Sequence, residues 1–305
     1  MKRIALALFA LSLAACHDVR REPGSPTAAS ATPPAAEGVY DNHAQVWQAH
    51  ESAPGAVQPP HVVVTIDATS QPDWALWRIH LDATPPVDAV WAIRSMTQSD
   101  GALALVPHRP LVATPSPTFD AQQWAALDAC TLRTPARAAA ATADIAACAA
   151  IVPGIGTEAA LLPLAIERDG EWLRLRLYAD QARGTDARED LRLVRWFTGW
   201  AAINGGGPKA DAASRDWHMD RALRIGSEGG RYALKWRDGN ASGYSLVLER
   251  LTYREGNVPV LKLSVVGDAD GSTLAYAWAN PEATRIGINL GWVQVGLDGE
   301  GPTTK

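Results

Sequence analysis

From residue 61 onward the sequence is cut into short runs of alternating apolar and polar residues, separated nearly everywhere by turn signals spaced at hairpin length, with 108–160 the exception. Parallel strands need connections of a dozen residues or more, whereas antiparallel strands need only a hairpin, so this spacing restricts the fold to an antiparallel barrel or sandwich. The runs lie at 61–67, 74–82, 89–96, 102–107, 161–168, 172–178, 191–200, 219–225, 231–237, 244–254, 258–266, 273–279 and 285–297. The turns between them include Ser99-Asp100-Gly101, Arg168-Asp169-Gly170, Asp238-Gly239-Asn240, Glu255-Gly256-Asn257 and Asp270-Gly271-Ser272. A period of two gives each strand one face for a core and one for water. Helix is sparse. Asp120 and Gln123 ahead of 124–127 have the form of a capping box, and 38–51 carries Val39, Val46 and Ala49 at helical spacing. The Ala-rich stretch 136–150 reads either as a helix or as a long loop.

The N-terminus has a different logic. Lys2 and Arg3 precede an apolar run over 4–11 and then Ser12-Leu13-Ala14-Ala15-Cys16, the order of a secretory signal whose apolar core is about half of what a bilayer span requires. Leu13-Ala14-Ala15-Cys16 resembles the lipobox of bacterial lipoproteins. The resemblance implies cleavage before Cys16, acylation of that cysteine and attachment to the membrane through it. His17, rather than Asp, follows the cysteine; by similarity to the enterobacterial sorting rule this implies the outer membrane, facing the periplasm. Residues 17–37 contain four prolines and a single large apolar side chain, Val19, too little to bury, and are expected to form an extended tether. The expected organisation is therefore a signal over 1–15, a lipidated Cys16 and tether over 16–37, a barrel over 38–205 and a β-meander over 206–305.

Beyond Cys16 the chain has two cysteines, Cys130 and Cys148. In an oxidising compartment an even pair is expected to be bonded, which in the chain-entropy account contributes about 3 kcal/mol for a loop of this length. A reactive thiol is the alternative; zinc is disfavoured because no His lies near the pair. The 28 basic against 33 acidic side chains give a net charge of −5, and loss of Lys2 and Arg3 with the signal makes it more negative. With no basic run, nucleic acid is excluded as a partner. No Gly-x-Ser-x-Gly elbow and no helical His pair is present; Asp268-Ala269-Asp270-Gly271 lacks a calcium-binding Glu at its twelfth position, where Ala279 stands. Asn204-Gly-Gly-Gly-Pro-Lys209 lacks the ending of a phosphate loop and reads as a connector, which places the boundary between the two β units near 205.

Gly38-Val-Tyr-Asp-Asn-His-Ala-Gln45 is similar to the opening of the chromophore lyase CpcT/CpeT family, Gly-x-(Phe/Tyr)-x-Asn-x-x-Gln. The order that follows also resembles it: a turn with Leu103-Ala-Leu105, Phe119 before a short helix, Leu127-Asp-Ala-Cys130, a second cysteine and a hairpin over 158–178. The likeness covers 38–200. It implies a calyx-like, lipocalin-like antiparallel barrel and the attachment of open-chain tetrapyrroles (bilins) to protein cysteines, although the family's characterised members are cytoplasmic. It also singles out Asn42 and Gln45, either as ligand contacts or as caps on the barrel's end.

Twelve Trp against three Phe suit an apolar wall that needs hydrogen-bond donors. In the run 172–178, Leu173, Leu175 and Leu177 fall on one face and Trp172, Arg174, Arg176 and Tyr178 on the other. If the second face lines the barrel, two guanidinium groups between aromatics would take carboxylates; if it faces water, the leucines form the core. Trp91 poses the same question on its own strand. Three functions stay open: a calyx binding a small amphipathic ligand such as a tetrapyrrole, a bilin-type lyase, and an envelope protein that docks another protein.

Overall fold

The computed structural model describes residues 37–112, 116, 118–135, 138, 140–184, 186–211, 213–253 and 258–301. The signal, Cys16 and nearly all of the tether lie outside them, as does the expected turn at 255–257. The protein is mainly β. In chain order the first strands are β1 (Gly38–Asp41), β2 (His61–Ala68), β3 (Trp74–Asp82), β4 (Val87–Thr97), β5 (Leu103–Pro110), β6 (Trp124–Ala126), β7 (Leu132–Thr134), β8 (Ala140–Thr142), β9 (Pro163–Asp169), β10 (Trp172–Leu177) and β11 (Glu189–Leu193). They pair antiparallel in the order β4-β3-β2-β1-β11-β10-β9-β8-β7-β5, and β5 returns to β4 so that the ring closes; β6 is appended outside β5. An antiparallel barrel, one of the two folds the hairpin spacing allowed and the calyx-like form the CpcT/CpeT resemblance implied, is thus present.

Eight further strands follow: β12 (Trp196–Asn204), β13 (Trp217–Gly226), β14 (Glu228–Lys235), β15 (Ala241–Leu251), β16 (Val260–Gly267), β17 (Thr273–Ala279), β18 (Arg285–Asn289) and β19 (Val293–Gly299). They form a four-stranded sheet β13-β12-β19-β18 and another, β14-β15-β16-β17. Inward side chains of both sheets, among them Phe197, Leu223, Leu248, Leu263 and Val295, share one apolar core. This is the expected C-terminal meander.

Several local expectations need correction. The run 191–200 is two strands in two different sheets, β11 in the barrel and β12 in the meander, so the chain changes sheet at Val194–Arg195 and not near 205. The glycine run at 204–209 is accordingly a packed turn inside the meander: Asn204 is buried and bonded to Ser214, and Gly207 lies against Trp236 and Tyr244. The run 285–297 is likewise a hairpin, β18 and β19. The opening octet divides into β1 and a helix, α1 (His43–Ser52). Asp120 accepts from the Gln122 amide at the head of a single 3-10 turn, without Gln123 reaching back. In the Ala-rich stretch lie β8 and a short helix, α2 (Ile145–Ala149), started by Asp144 accepting from the Ala147 amide.

The barrel interior holds a continuous apolar core. Val62, Val64 and Ile66 of β2, Trp77 and Ile79 of β3, Trp91 and Ile93 of β4 and Leu173, Leu175 and Leu177 of β10 all point inward in one continuous core. Leu161 and Leu162 enter the same core from the segment before β9, and so do Cys130 and Cys148, which are bonded to each other. Charged side chains such as Asp67, Arg78, Glu167 and Arg174 are paired on the outer wall, the reverse of a membrane barrel's apolar exterior. Among the described residues no helix is long and apolar enough to cross a membrane.

Candidate functional site

The question left open by the run 172–178 is settled by burial: the three leucines fill the barrel and Trp172, Arg174 and Arg176 lie on its outer side, while Tyr178, just past the strand, packs against the core. An interior site built on the arginines is therefore corrected. Trp91 is fully buried in the core, with its indole Nε1 donating to the Leu161 carbonyl at 3.0 Å.

The arginines instead line a cleft of about 770 Å³ on the outer wall, bounded by α1 and Pro59 on one side, by β9 and β10 at its floor and by 186–190 on the other. Three residues named from the sequence meet here: Gln45, Arg174 and Arg176. Its apolar lining comes from Ala49, Val57, Pro59, Ala140 and Ala165. Strand register decides how the two arginines differ. Arg174 stands opposite Glu167 on β9 and Asp190 on β11, and pairs with Glu167 at 2.9 Å and Asp190 at 3.8 Å. Arg176 stands opposite Ala165, and its Nε is buried without a hydrogen-bond partner among the described residues. One guanidinium is neutralised, and the other has one buried donor, its Nε, without a partner among the described residues, in a cleft of mixed polar and apolar lining. A buried unsatisfied donor is costly, which favours an acceptor brought by a ligand.

Asn42 and Gln45 fasten α1 over the barrel. Asn42 Oδ1 accepts from the Val62 amide at 2.7 Å, while Nδ2 donates to the Pro60 carbonyl at 2.8 Å and to Glu189 at 2.7 Å. Gln45 Nε2 donates to the Arg188 carbonyl and its Oε1 accepts from the Asp190 amide. Both therefore cap the barrel's end, and Gln45 in addition faces the cleft. Trp172 and Tyr178 lie elsewhere: Trp172 under the Arg192 guanidinium at 5.2 Å, and Tyr178 against the barrel core.

Beneath the cleft lies a group that residue patterning did not reveal. Asp180 and Glu189 are both buried, and Arg183, which lines the cleft, donates to each. Two carboxyls share one guanidinium. Burial pushes the Glu189 carboxyl up to about 7, with Asp180 adding to the shift and Arg183 and Asn42 opposing it; burial also raises Asp180. The dense charge of 183–190 was the available signal, but it reads equally well as a solvated linker. The sign of the consequence follows from linkage. Between the ordinary 4.5 and about 7 the folded state holds a proton that the unfolded state has released, so this group makes stability fall as pH rises through that window. Glu189→Gln is expected to flatten that part of the pH–stability profile; denaturant titrations at pH 5 and pH 7.5 with the same slope for both proteins would refute it.

Among the described residues no group of three or more His, Cys, Asp or Glu side chains converges as a metal site. No family model, no curated protein and no solved structure matches the chain. The likeness to the CpcT/CpeT proteins accordingly stands on the opening octet and the order of elements alone.

Proposed function

We propose that this protein is a lipid-anchored envelope protein that holds a small amphipathic carboxylate in the outer cleft of its barrel. The observation that carries the reading is Arg176: a guanidinium with a buried, unpaired Nε beside an apolar wall, in a cleft of a size usual for small-molecule sites. A carboxylate would supply the missing acceptor, while Ala49, Val57, Pro59 and Ala165 would cover an apolar body. Gln45 supports the floor by fixing α1 against 188–190. The CpcT/CpeT likeness suggests an open-chain tetrapyrrole, an apolar plane with carboxylate arms, as the ligand class. The Leu13-Ala14-Ala15-Cys16 lipobox supports anchoring at the outer membrane on its periplasmic side.

Two measurements test this. Titration of the full chain with biliverdin should quench Trp emission saturably, and Arg176→Leu should weaken binding roughly ten- to a hundredfold, since a charge-assisted contact contributes about 1.5–3 kcal/mol. Arg174→Leu should matter less, because Glu167 and Asp190 already occupy Arg174. Unsaturable quenching, or equal affinity of the Arg176 variant, overturns the site. For the anchor, Cys16→Ser should abolish lipid labelling of the chain and its cleavage before residue 16; an acylated variant would contradict it.

A further inference from the structure

On the outer face of the sheet β14–β17, Leu274, Tyr276 and Trp278 alternate along β17 and are 46, 54 and 56 % exposed. Tyr276 stacks on Trp278 at 5.1 Å, Trp278 meets Tyr253 at 5.5 Å, and Tyr253 meets Trp47 of α1 at 5.1 Å. Four rings thus run in an unbroken row from α1 to the last strand of the sheet. Lys262, opposite Trp278 on β16, places its ammonium 5.8 Å from the Tyr253 ring and 5.9 Å from that of Tyr276. Single exposed apolar residues need no account, but a contiguous row of large ones does. The fold does not require it: the sheet's inner face supplies Leu246 and Leu248 of β15 and Leu261 and Leu263 of β16 to the core.

We infer that this aromatic row rests on the surface of the bilayer, with Trp278, Tyr276 and Leu274 at headgroup depth. Trp and Tyr, with an apolar body and a polar tip, are the residues favoured at membrane–water interfaces, and Lys with a long apolar stem accompanies them. The chain outside the described residues identifies the partner. The segment 17–37 ends at β1, which leads directly into α1 and Trp47. On the proposed reading of Cys16 as the anchor, about 20 residues of a composition expected to give an extended tether would have a root-mean-square reach of roughly 25 Å, so the anchored chain would meet the bilayer at an effective concentration in the millimolar range. A second, weak contact at that concentration fixes which way the domain faces. The placement opposes no membrane charge at the row itself, where Lys262 is the cation and Glu249 is taken up by Lys262 and His43.

The test uses the full chain in vesicles of phosphatidylethanolamine and phosphatidylglycerol whose acyl chains are brominated near the headgroup. Residues 1–36 contain no Trp, so bromine-dependent quenching reads the folded part alone. The expected result is a quenched fraction of Trp emission that is lost in Tyr276→Ser/Trp278→Ser, with circular dichroism and biliverdin titration unchanged in that variant. Emission that is equal in brominated and plain vesicles, or a quenched fraction that survives the double substitution, overturns the inference. So does a wild-type dimer in sedimentation that the double variant converts to a monomer, which would assign the row to a second copy. Co-sedimentation with vesicles is read separately, so failure of attachment through Cys16 is distinguishable from failure of the aromatic face.

Discussion

Glu228→Ala is expected to lower stability by about 3–5 kcal/mol, a fall in melting temperature on the order of 10 °C for a chain of this size. Glu228 sits where the barrel meets the meander and is 4 % exposed, between Arg192 of β11 at 5 % and Arg250 of β15 at 1 %. It accepts from Arg192 at 2.7 and 3.0 Å and from Arg250 at 2.5 Å, while Arg250 reaches across to the barrel to donate to Glu171 at 2.7 Å and the Leu193 carbonyl at 2.6 Å. Removing the shared carboxylate leaves two buried guanidinium groups: Arg250 keeps Glu171 and the Leu193 carbonyl, while Arg192 keeps the Arg250 carbonyl but loses its opposing charge. The loss reflects uncompensated charge, not the net worth of the network. Replacing Arg192, Glu228 and Arg250 together by apolar residues of similar volume should therefore recover much of it. Thermal unfolding followed by circular dichroism decides the matter: a loss under about 1 kcal/mol for Glu228→Ala would mean that water reaches these charges.

Trp91→Ala should cost about 3–5 kcal/mol, the range for deleting a large aromatic side chain from a packed core. Trp91 is fully buried, and its loss also removes the donor that satisfies the Leu161 carbonyl. Urea titration measures this. The same variant separates the inside of the barrel from its outside, because a ligand in the outer cleft should retain its affinity in Trp91→Ala protein that is still folded. A large change in biliverdin affinity would move the site into the interior.

The fold was legible because strand periodicity and turn spacing are local properties. The hairpin at Arg168-Asp169-Gly170 formed where its residues placed it, with Gly170 at a φ of 59° that other residues rarely adopt. What the sequence could not carry is which strand neighbours which when the connection is not a hairpin. The run 191–200 looks continuous, yet β11 and β12 belong to different sheets, and nothing local marks Val194 as the corner. The arginines on β10 were identifiable as a pair, but their orientation depended on whether Leu173, Leu175 and Leu177 or the opposite face turned inward, a choice that a period of two does not make. Their unequal partners arose from the β9 register, which sets Glu167 against one and Ala165 against the other. The Asp180–Glu189 pair escaped notice because burial, not composition, gives two carboxyls their interest.

Both β units are sealed by their own extremities. Tyr40 of β1 lies opposite Leu193 of β11, and β12 pairs along most of its length with β19. The barrel cannot close until β11 exists, and β12 cannot complete its pairing until β19 exists, so the leading strands of a chain emerging N-terminus first must wait with an unpaired edge. Closure of this kind gives a high mean sequence separation between partners, slow folding and a prolonged exposure to aggregation. For this chain, the time spent with the β1 edge open, as much as the depth of the folded minimum, sets how much of it escapes aggregation.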